Sequence, residues 1–183
     1  MADDLRDRLR HAFRWTDPGD GSEYLVSNRS GWWRDPLILS GLGEALADLF
    51  RDPAPTVVVA PEVTGFLVGP LVARALGAGF VEAYRAGARR PIAEPMSWAE
   101  VPADHRGQRQ LLGVREGLVR PDDRVLVVDD WASTGAQVRA LRGLFGTSYV
   151  GAAVIVDECP PPVSRELTIR GLLAEKDLDY GLP

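Results

Sequence analysis

The chain has 183 residues, 45% of them hydrophobic and 26% charged, the balance of a soluble globular domain with one ordinary core. Its formal net charge of −5 argues against a surface for duplex nucleic acid, which needs a basic face, but leaves room for a small basic pocket. Cys159 is the single cysteine, so no internal disulfide framework exists, and His11 and His105 add too few ligands for a structural zinc site.

Charges run through the first fifteen residues without an apolar stretch, so a secretory signal is not expected. Apolar runs such as residues 150–156 are strand-sized and too short to span a bilayer. The expectation is a cytoplasmic protein with no membrane partner.

In chain order, Leu5, Leu9 and Phe13 recur every four residues and predict an amphipathic helix over residues 3–14. A looser stretch rich in Gly, Asp and Ser follows, ending in a Gly-flanked turn that carries Trp32 and Trp33. Asp35 as N-cap with Pro36 in the first helical position opens a helix through Phe50, broken by Pro53 and Pro55. Strands are then expected at residues 57–60, 79–84, 111–114, 125–128, 149–156 and 167–173, with helices at 65–76 and 135–145. Strands alternating with helices over short connections predict parallel βαβ units, an α/β fold whose mostly parallel central sheet carries helices on both faces. One domain, residues 1–183, is expected: 1–55 as N-terminal helices with the Trp32-Trp33 segment, 56–160 as core, 161–183 as C-terminal strand and tail. Cys159, followed by Pro160, Pro161 and Pro162, reads as a strand-end thiol before a rigid turn.

Parallel sheets bind ligands at the carboxyl ends of their strands, which here are residues 61–65, 85–90 and 129–137. At the last of these an apolar strand meets Asp129 and Asp130, and Ser133-Thr134-Gly135 leads into a helix. A helix N-terminus offers free N–H groups and the positive end of the macrodipole to a phosphate. Gly135 lets the backbone approach the anion, and the hydroxyls of Ser133 and Thr134 add donors. Two carboxylates would repel a phosphate unless they face another part of the ligand; the vicinal hydroxyls of a ribose would serve. The plainer reading is a strand-end turn with an Asp or Ser cap. The Walker A pattern and the dinucleotide fingerprint G-x-G-x-x-G are both absent.

The segment resembles the phosphoribosyl-diphosphate motif of the type I phosphoribosyltransferases: apolar strand, two acids, two spacers, then a small residue, Thr and Gly. The resemblance implies the type I phosphoribosyltransferase fold with a flexible hood loop. It also implies that Asp129 and Asp130 contact the ribose hydroxyls while Ala132, Ser133, Thr134, Gly135, Ala136 and Gln137 wrap the 5′-phosphate. Family members often have Thr where Gln137 stands. At the first strand end, Glu62, Gly65 and Phe66 match the diphosphate loop of adenine phosphoribosyltransferases, with Val63 and Thr64 between; Thr64 replaces an arginine, and a cis peptide is usual in that loop. At the second, Arg85, Arg89 and Arg90 stand close together in an acidic chain, followed by Pro91. They read either as a solvated loop or as a guanidinium clamp on the departing diphosphate.

Residues 92–110 make a long connection, which the resemblance identifies as the hood, with His105, Arg106 and Arg109 as donors. Trp33-Arg34-Asp35 falls where relatives carry a Phe-Arg-Asp element packed on the base; the alternative is that Trp32 or Trp33 caps the core. Asp157 or Glu158 corresponds to an acid after the last core strand.

Together these features imply transfer of a 5-phosphoribosyl group from 5-phosphoribosyl 1-diphosphate, with Mg2+, to a purine-type base, adenine first. Asp129, Asp130, Arg85 and Arg89 would be the catalytic residues, Trp33, Arg34 and Asp157 the base side. No dedicated protein cage for the metal is expected, because Mg2+ borrows ligand oxygens and keeps waters. The alternatives are a regulatory protein that binds the donor without catalysis, or a transferase for xanthine, orotate or a specialised metabolite. Partners would be small molecules and a second copy of the chain, as relatives are usually dimers.

Overall fold

The computed structural model describes residues 2–19, 21, 24–87, 95–102 and 110–178. Helix α1 (Ala2–Ala12) brings Leu5 and Leu9 onto one buried face, as the four-residue spacing predicts. The expected loose stretch holds a short antiparallel hairpin, β1 (Arg14–Thr16) and β2 (Val26–Asn28). The Trp32-Trp33 segment is a single helical turn, α2 (Ser30–Arg34), rather than an open turn. Gly31 explains why: a Cβ there would lie 2.1 Å from the carbonyl oxygen of Ala12, so the glycine serves a close approach to the end of α1. Helix α3 (Pro36–Asp48) starts as expected, with the Asp35 side chain accepting from the Leu37 N–H at 2.8 Å and Pro36 at the first position.

Strand β3 (Val57–Pro61), helix α4 (Gly65–Leu76) and strand β4 (Gly79–Arg85) form the first parallel unit. Part of the expected hood is regular: β5 (Met96–Val101) pairs antiparallel with β6 (Gln110–Arg115). Strand β7 (Val125–Ala132) runs four residues further than its apolar stretch, so Asp129 and Asp130 lie inside it. Helix α5 (Ala136–Phe145), strand β8 (Tyr149–Asp157), helix α6 (Pro161–Glu166) and strand β9 (Ile169–Ala174) follow. The prolines after Cys159 thus open a short helix.

Among the described residues one sheet has the order β5-β6-β4-β3-β7-β8-β9. From β4 to β9 neighbouring strands are parallel, while β6 joins β4, and β5 joins β6, antiparallel. Alternate residues of the central strands feed opposite layers, the period-two rule at work. Val58, Leu126 and Val128 pack with Leu9, Ile38, Leu42 and Val72 of α1, α3 and α4. Val57, Val59, Val125 and Val127 pack with Val138 and Leu141 of α5. Burial on both faces makes this an α/β fold, and it leaves the carboxyl ends of β3, β4 and β7 side by side at the sheet's centre.

Candidate active site

Asp129 and Asp130 occupy adjacent positions on β7 and are the two charged side chains that burial takes almost entirely from water among the described residues, at 9% and 4% exposure. Strand alternation starts them toward opposite faces, but at the carboxyl end of β7 both reach the same cavity and their side chains interact. The Asp129 carboxylate accepts from the Asp130 N–H at 2.9 Å, and Asp130 is paired with Arg29, which arrives from just beyond β2. Burial first, then the neighbouring Asp130 charge, holds the Asp129 carboxyl well above the usual carboxylate range, while the Arg85 guanidinium works in the opposite sense. Hydrogen bonds donated to this carboxyl from a bound group would favour its ionised form and so oppose the effect of burial.

Beyond the strand the chain turns through Ser133, Thr134 and Gly135 into α5. Gly135 takes φ +72°, and a Cβ on it would lie 2.8 Å from Leu167 Cδ1 and 3.0 Å from Val163 Cγ1. Only glycine meets both the backbone angle and the space. The Thr134 hydroxyl accepts from the Ala136 N–H at 3.3 Å, and the Gly135 carbonyl accepts from the Arg139 N–H at 2.8 Å, so the first turn of α5 is firmly set. The loop from Ala132 to Val138 borders a cavity of about 330 Å³ whose opposite side carries Arg85, Gln110 and Asp129.

The β3–α4 turn contributes the facing wall. The Glu62–Val63 peptide is cis, as the resemblance implies, and Gly65 is the buried first residue of α4. Arg85, the last residue of β4, is tied to this turn twice: its backbone N–H donates to Glu62 Oε2 at 3.1 Å and its Nε donates to the Glu62 carbonyl at 3.0 Å. A second cavity, of about 520 Å³, adjoins the first and shares with it Arg85, Asp129, Trp131, Ser133 and Gln137. Its wall adds Glu62, Val63, Thr64, Asp130 and Arg29, and at the far side Trp15, Val26 and Glu158.

The structure therefore brings together Asp129, Asp130, the 132–137 loop, the 62–64 turn and Arg85. It places Trp33, Arg34 and Asp157 elsewhere. Trp33 packs edge-on to the buried Trp32, ring centroids 6.0 Å apart, Arg34 is exposed, and neither lines the two cavities. Asp157 accepts from the Cys159 N–H and the Ser164 hydroxyl, both at 3.0 Å, and so shapes the turn into α6. Arg89, Arg90, His105, Arg106 and Arg109 lie outside the described residues. Burial and then Asp157 push the Cys159 thiol up to about 12, which makes it unreactive near neutrality.

In place of Trp33 the cavity has Trp131 and Trp15, with centroids 6.1 Å apart and rings at 74°. Phe13 packs on both, and Trp131 Nε1 donates to Glu158 Oε2 at 2.7 Å, which fixes the indole. Trp131 is one of the two spacers of the motif, so its position beside the acids was readable; Trp15 and Arg29 carried no local signal.

No protein-family model matches the chain. The adenine phosphoribosyltransferase of Frankia alni is 30% identical over 159 residues, 85% of this chain and 79% of the relative. That of Leuconostoc citreum is 33% identical over 117 residues, 62% of this chain and 64% of the relative, so there the match spans less than two thirds of the relative's length. The orotate phosphoribosyltransferase of Thermus thermophilus is 36% identical over 143 residues, 76% of this chain and 67% of the relative. Among solved structures, adenine phosphoribosyl transferase from Trypanosoma brucei, in complex with AMP, pyrophosphate and ribose-5-phosphate, superposes with a TM-score of 0.79 at 20% identity, covering 98% of this chain and 84% of that one. Fold, strand-end geometry and these relatives agree: the chain belongs to the type I phosphoribosyltransferase family, with adenine phosphoribosyltransferases among its relatives.

Proposed function

We propose that the chain transfers a 5-phosphoribosyl group from 5-phosphoribosyl 1-diphosphate to a ring nitrogen of a purine-type base, adenine first, releasing diphosphate. The observation that carries this reading is the buried Asp129-Asp130 pair directly before the Ser133-Thr134-Gly135 helix opening, facing Arg85 across one continuous pair of cavities. The 5′-phosphate would sit on the N–H groups at the start of α5, with the hydroxyls of Ser133 and Thr134. The ribose hydroxyls would donate to Asp129 and Asp130, and that donation favours the ionised form that burial of Asp129 opposes. As the bond from C1′ to diphosphate breaks, positive charge grows on the sugar ring, and the acids beneath it are placed to stabilise that charge. Arg85 would hold the departing diphosphate, with the 62–64 turn beside it and Arg89 and Arg90 nearby in the chain.

Mg2+ would accompany the donor. Among the described residues no group of three or more His, Cys, Asp and Glu side chains is gathered to hold a metal, so the diphosphate and water would supply most of its ligands. When bound, the metal offsets the charge of the diphosphate. Closure of the hood formed by residues 92–110 over the site would keep water from the donor.

For the acceptor, the flat face of Trp131 offers a stacking surface for a base, with Trp15 edge-on to it. Glu158 beside it can take a donor such as an exocyclic amine. The larger cavity sets Glu62, Asp129, Asp130 and Glu158 against Arg29 and Arg85, a balance that disfavours an anionic base such as orotate. We place the enzyme in the cytoplasm; among the described residues no helix is long and apolar enough to cross a membrane. We also propose a homodimer, for which Val63 and Leu67, exposed at the start of α4, are apolar side chains that a contact would cover.

The test is diphosphate release from the Mg2+-bound donor with a panel of adenine, hypoxanthine, guanine, xanthine and orotate. Release that depends on adenine supports the reading. Release with orotate alone moves the acceptor, and donor binding without release for any base supports the regulatory alternative.

A further inference from the structure

We propose that Gln110 and Gln137 are positioning residues for Arg85, two neutral amides that aim its guanidinium without neutralising it. This rests on the reading of Arg85 as a ligand of the diphosphate. Each guanidinium nitrogen of Arg85 has one protein acceptor: Nε donates to the Glu62 carbonyl at 3.0 Å, Nη1 to Gln110 Oε1 at 3.0 Å, and Nη2 to Gln137 Oε1 at 3.5 Å. All three acceptors are uncharged. Of the two carboxylates nearby, Glu62 receives the backbone N–H of Arg85 instead, and Asp129 is close enough to feel the guanidinium charge but takes none of these three hydrogen bonds.

The amide orientations follow from chemistry, since an NH₂ turned toward a guanidinium would set donor against donor. An ion pair on those nitrogens would hold the fork equally well but would cancel the charge that an anion must feel. Neutral acceptors on three sides hold the guanidinium plane while its charge and its two remaining N–H bonds stay available. The two amides come from different elements, Gln110 from the first residue of β6 and Gln137 from the first turn of α5. Arg85 is thereby registered against both the antiparallel edge of the sheet and the phosphate-loop helix. The resemblance to the family motif implies Thr at the position of Gln137 in many members, and a threonine is too short to make the same contact from the same backbone. The amide there is a feature of this chain's own clamp.

The test exploits an isosteric change. Gln110→Glu keeps size and acceptor but adds the charge that the arrangement avoids; Gln110→Ala removes the acceptor alone. Binding of inorganic diphosphate with Mg2+ is measured by calorimetry for the parent, both variants and Arg85→Ala, with thermal melting to confirm folding. Gln110→Ala should weaken binding several-fold and Gln110→Glu about 10- to 100-fold, the loss of a charge-assisted contact. A residue with a merely structural role gives the opposite order, because the isosteric variant would be the milder one. In steady state the KM for the donor should rise in the glutamate variant while that for the base stays unchanged. Diphosphate binding as tight as the parent's in Gln110→Glu, or tighter than in Gln110→Ala, overturns the inference while leaving Arg85 in its role. Unchanged binding in Arg85→Ala overturns both the inference and the reading beneath it. Should Gln110→Glu fail to fold, Gln137→Glu poses the same question with the same probe and the same expected loss.

Discussion

Gly135→Ala tests the link between backbone geometry and the anion site most sharply. The residue sits at φ +72°, where an L side chain costs about 1–2 kcal/mol. Its new Cβ would lie 2.8 Å from Leu167 Cδ1 and 3.0 Å from Val163 Cγ1. Leu167 is fully buried, so it cannot swing into solvent, and overpacking of this kind costs about 1–3 kcal/mol. Together the loss is about 2–5 kcal/mol, or a melting temperature lower by roughly 4–20 °C for a chain of this size. Relief by a shift of the 133–136 backbone would also displace the N–H groups that we propose hold the phosphate, and a misplacement near 1 Å costs about a hundredfold in turnover. Thermal unfolding and donor calorimetry measure the two effects separately. Gly143→Ala, on the same helix with nothing within 4 Å of its Cβ, is the control and should be neutral or slightly stabilising. A Gly135→Ala protein that melts with the parent and binds donor equally would refute the reasoning, as would a Gly143→Ala protein damaged to the same degree.

Asp129→Asn keeps the bond from the Asp130 N–H but removes a carboxylate that burial and Asp130 disfavour. A carboxyl raised in the folded state makes stability fall as pH rises from the ordinary carboxylate range toward the raised value. The variant should therefore melt higher than the parent near pH 7, by about 2–4 °C for each kcal/mol relieved, with the gap closing as the pH is lowered toward 4, while turnover is lost. A melt lowered at neutral pH would contradict that sign. Trp131→Ala should weaken base binding by about 1–3 kcal/mol, roughly 5- to 150-fold, and leave donor affinity near the parent's, as competition binding would show. An equal loss in Trp33→Ala would return the base to the α2 segment.

Much of this fold is legible in the chain because its signals are local. Asp35-Pro36 starts α3 by capping, and the β-branched runs at 57–59 and 125–128 become strands buried on both faces. The acid pair and the Ser-Thr-Gly turn are adjacent in sequence, so the part of the site that we propose holds the phosphoribosyl group is readable without a structure. What stayed hidden depends on distance or on edges. Arg29 and Asp130 are 101 residues apart in the chain, and nothing near either residue announces the pair. Strand β5 is an edge strand in which Trp98 is 42% exposed, so its apolar residues do not mark a buried face. Gly31 suggested a turn, yet its lack of a side chain serves the contact with Ala12 and lets α2 form against α1. That packing puts Trp32 in the core and leaves Trp33 outside the lining of the two cavities. The aromatic wall is supplied instead by Trp131, inside the motif, and by Trp15 from the first hairpin.

The central claim is that Asp129 and Asp130 hold a ribose whose 5′-phosphate rests on the loop after them. Calorimetry of Mg2+-bound 5-phosphoribosyl 1-diphosphate on the parent and on the double variant Asp129→Ala with Asp130→Ala tests it most directly, with thermal melting to establish that both are folded. Saturable donor binding by the parent and its loss in the folded double variant is the predicted result. Equal donor affinity in the two proteins would contradict it.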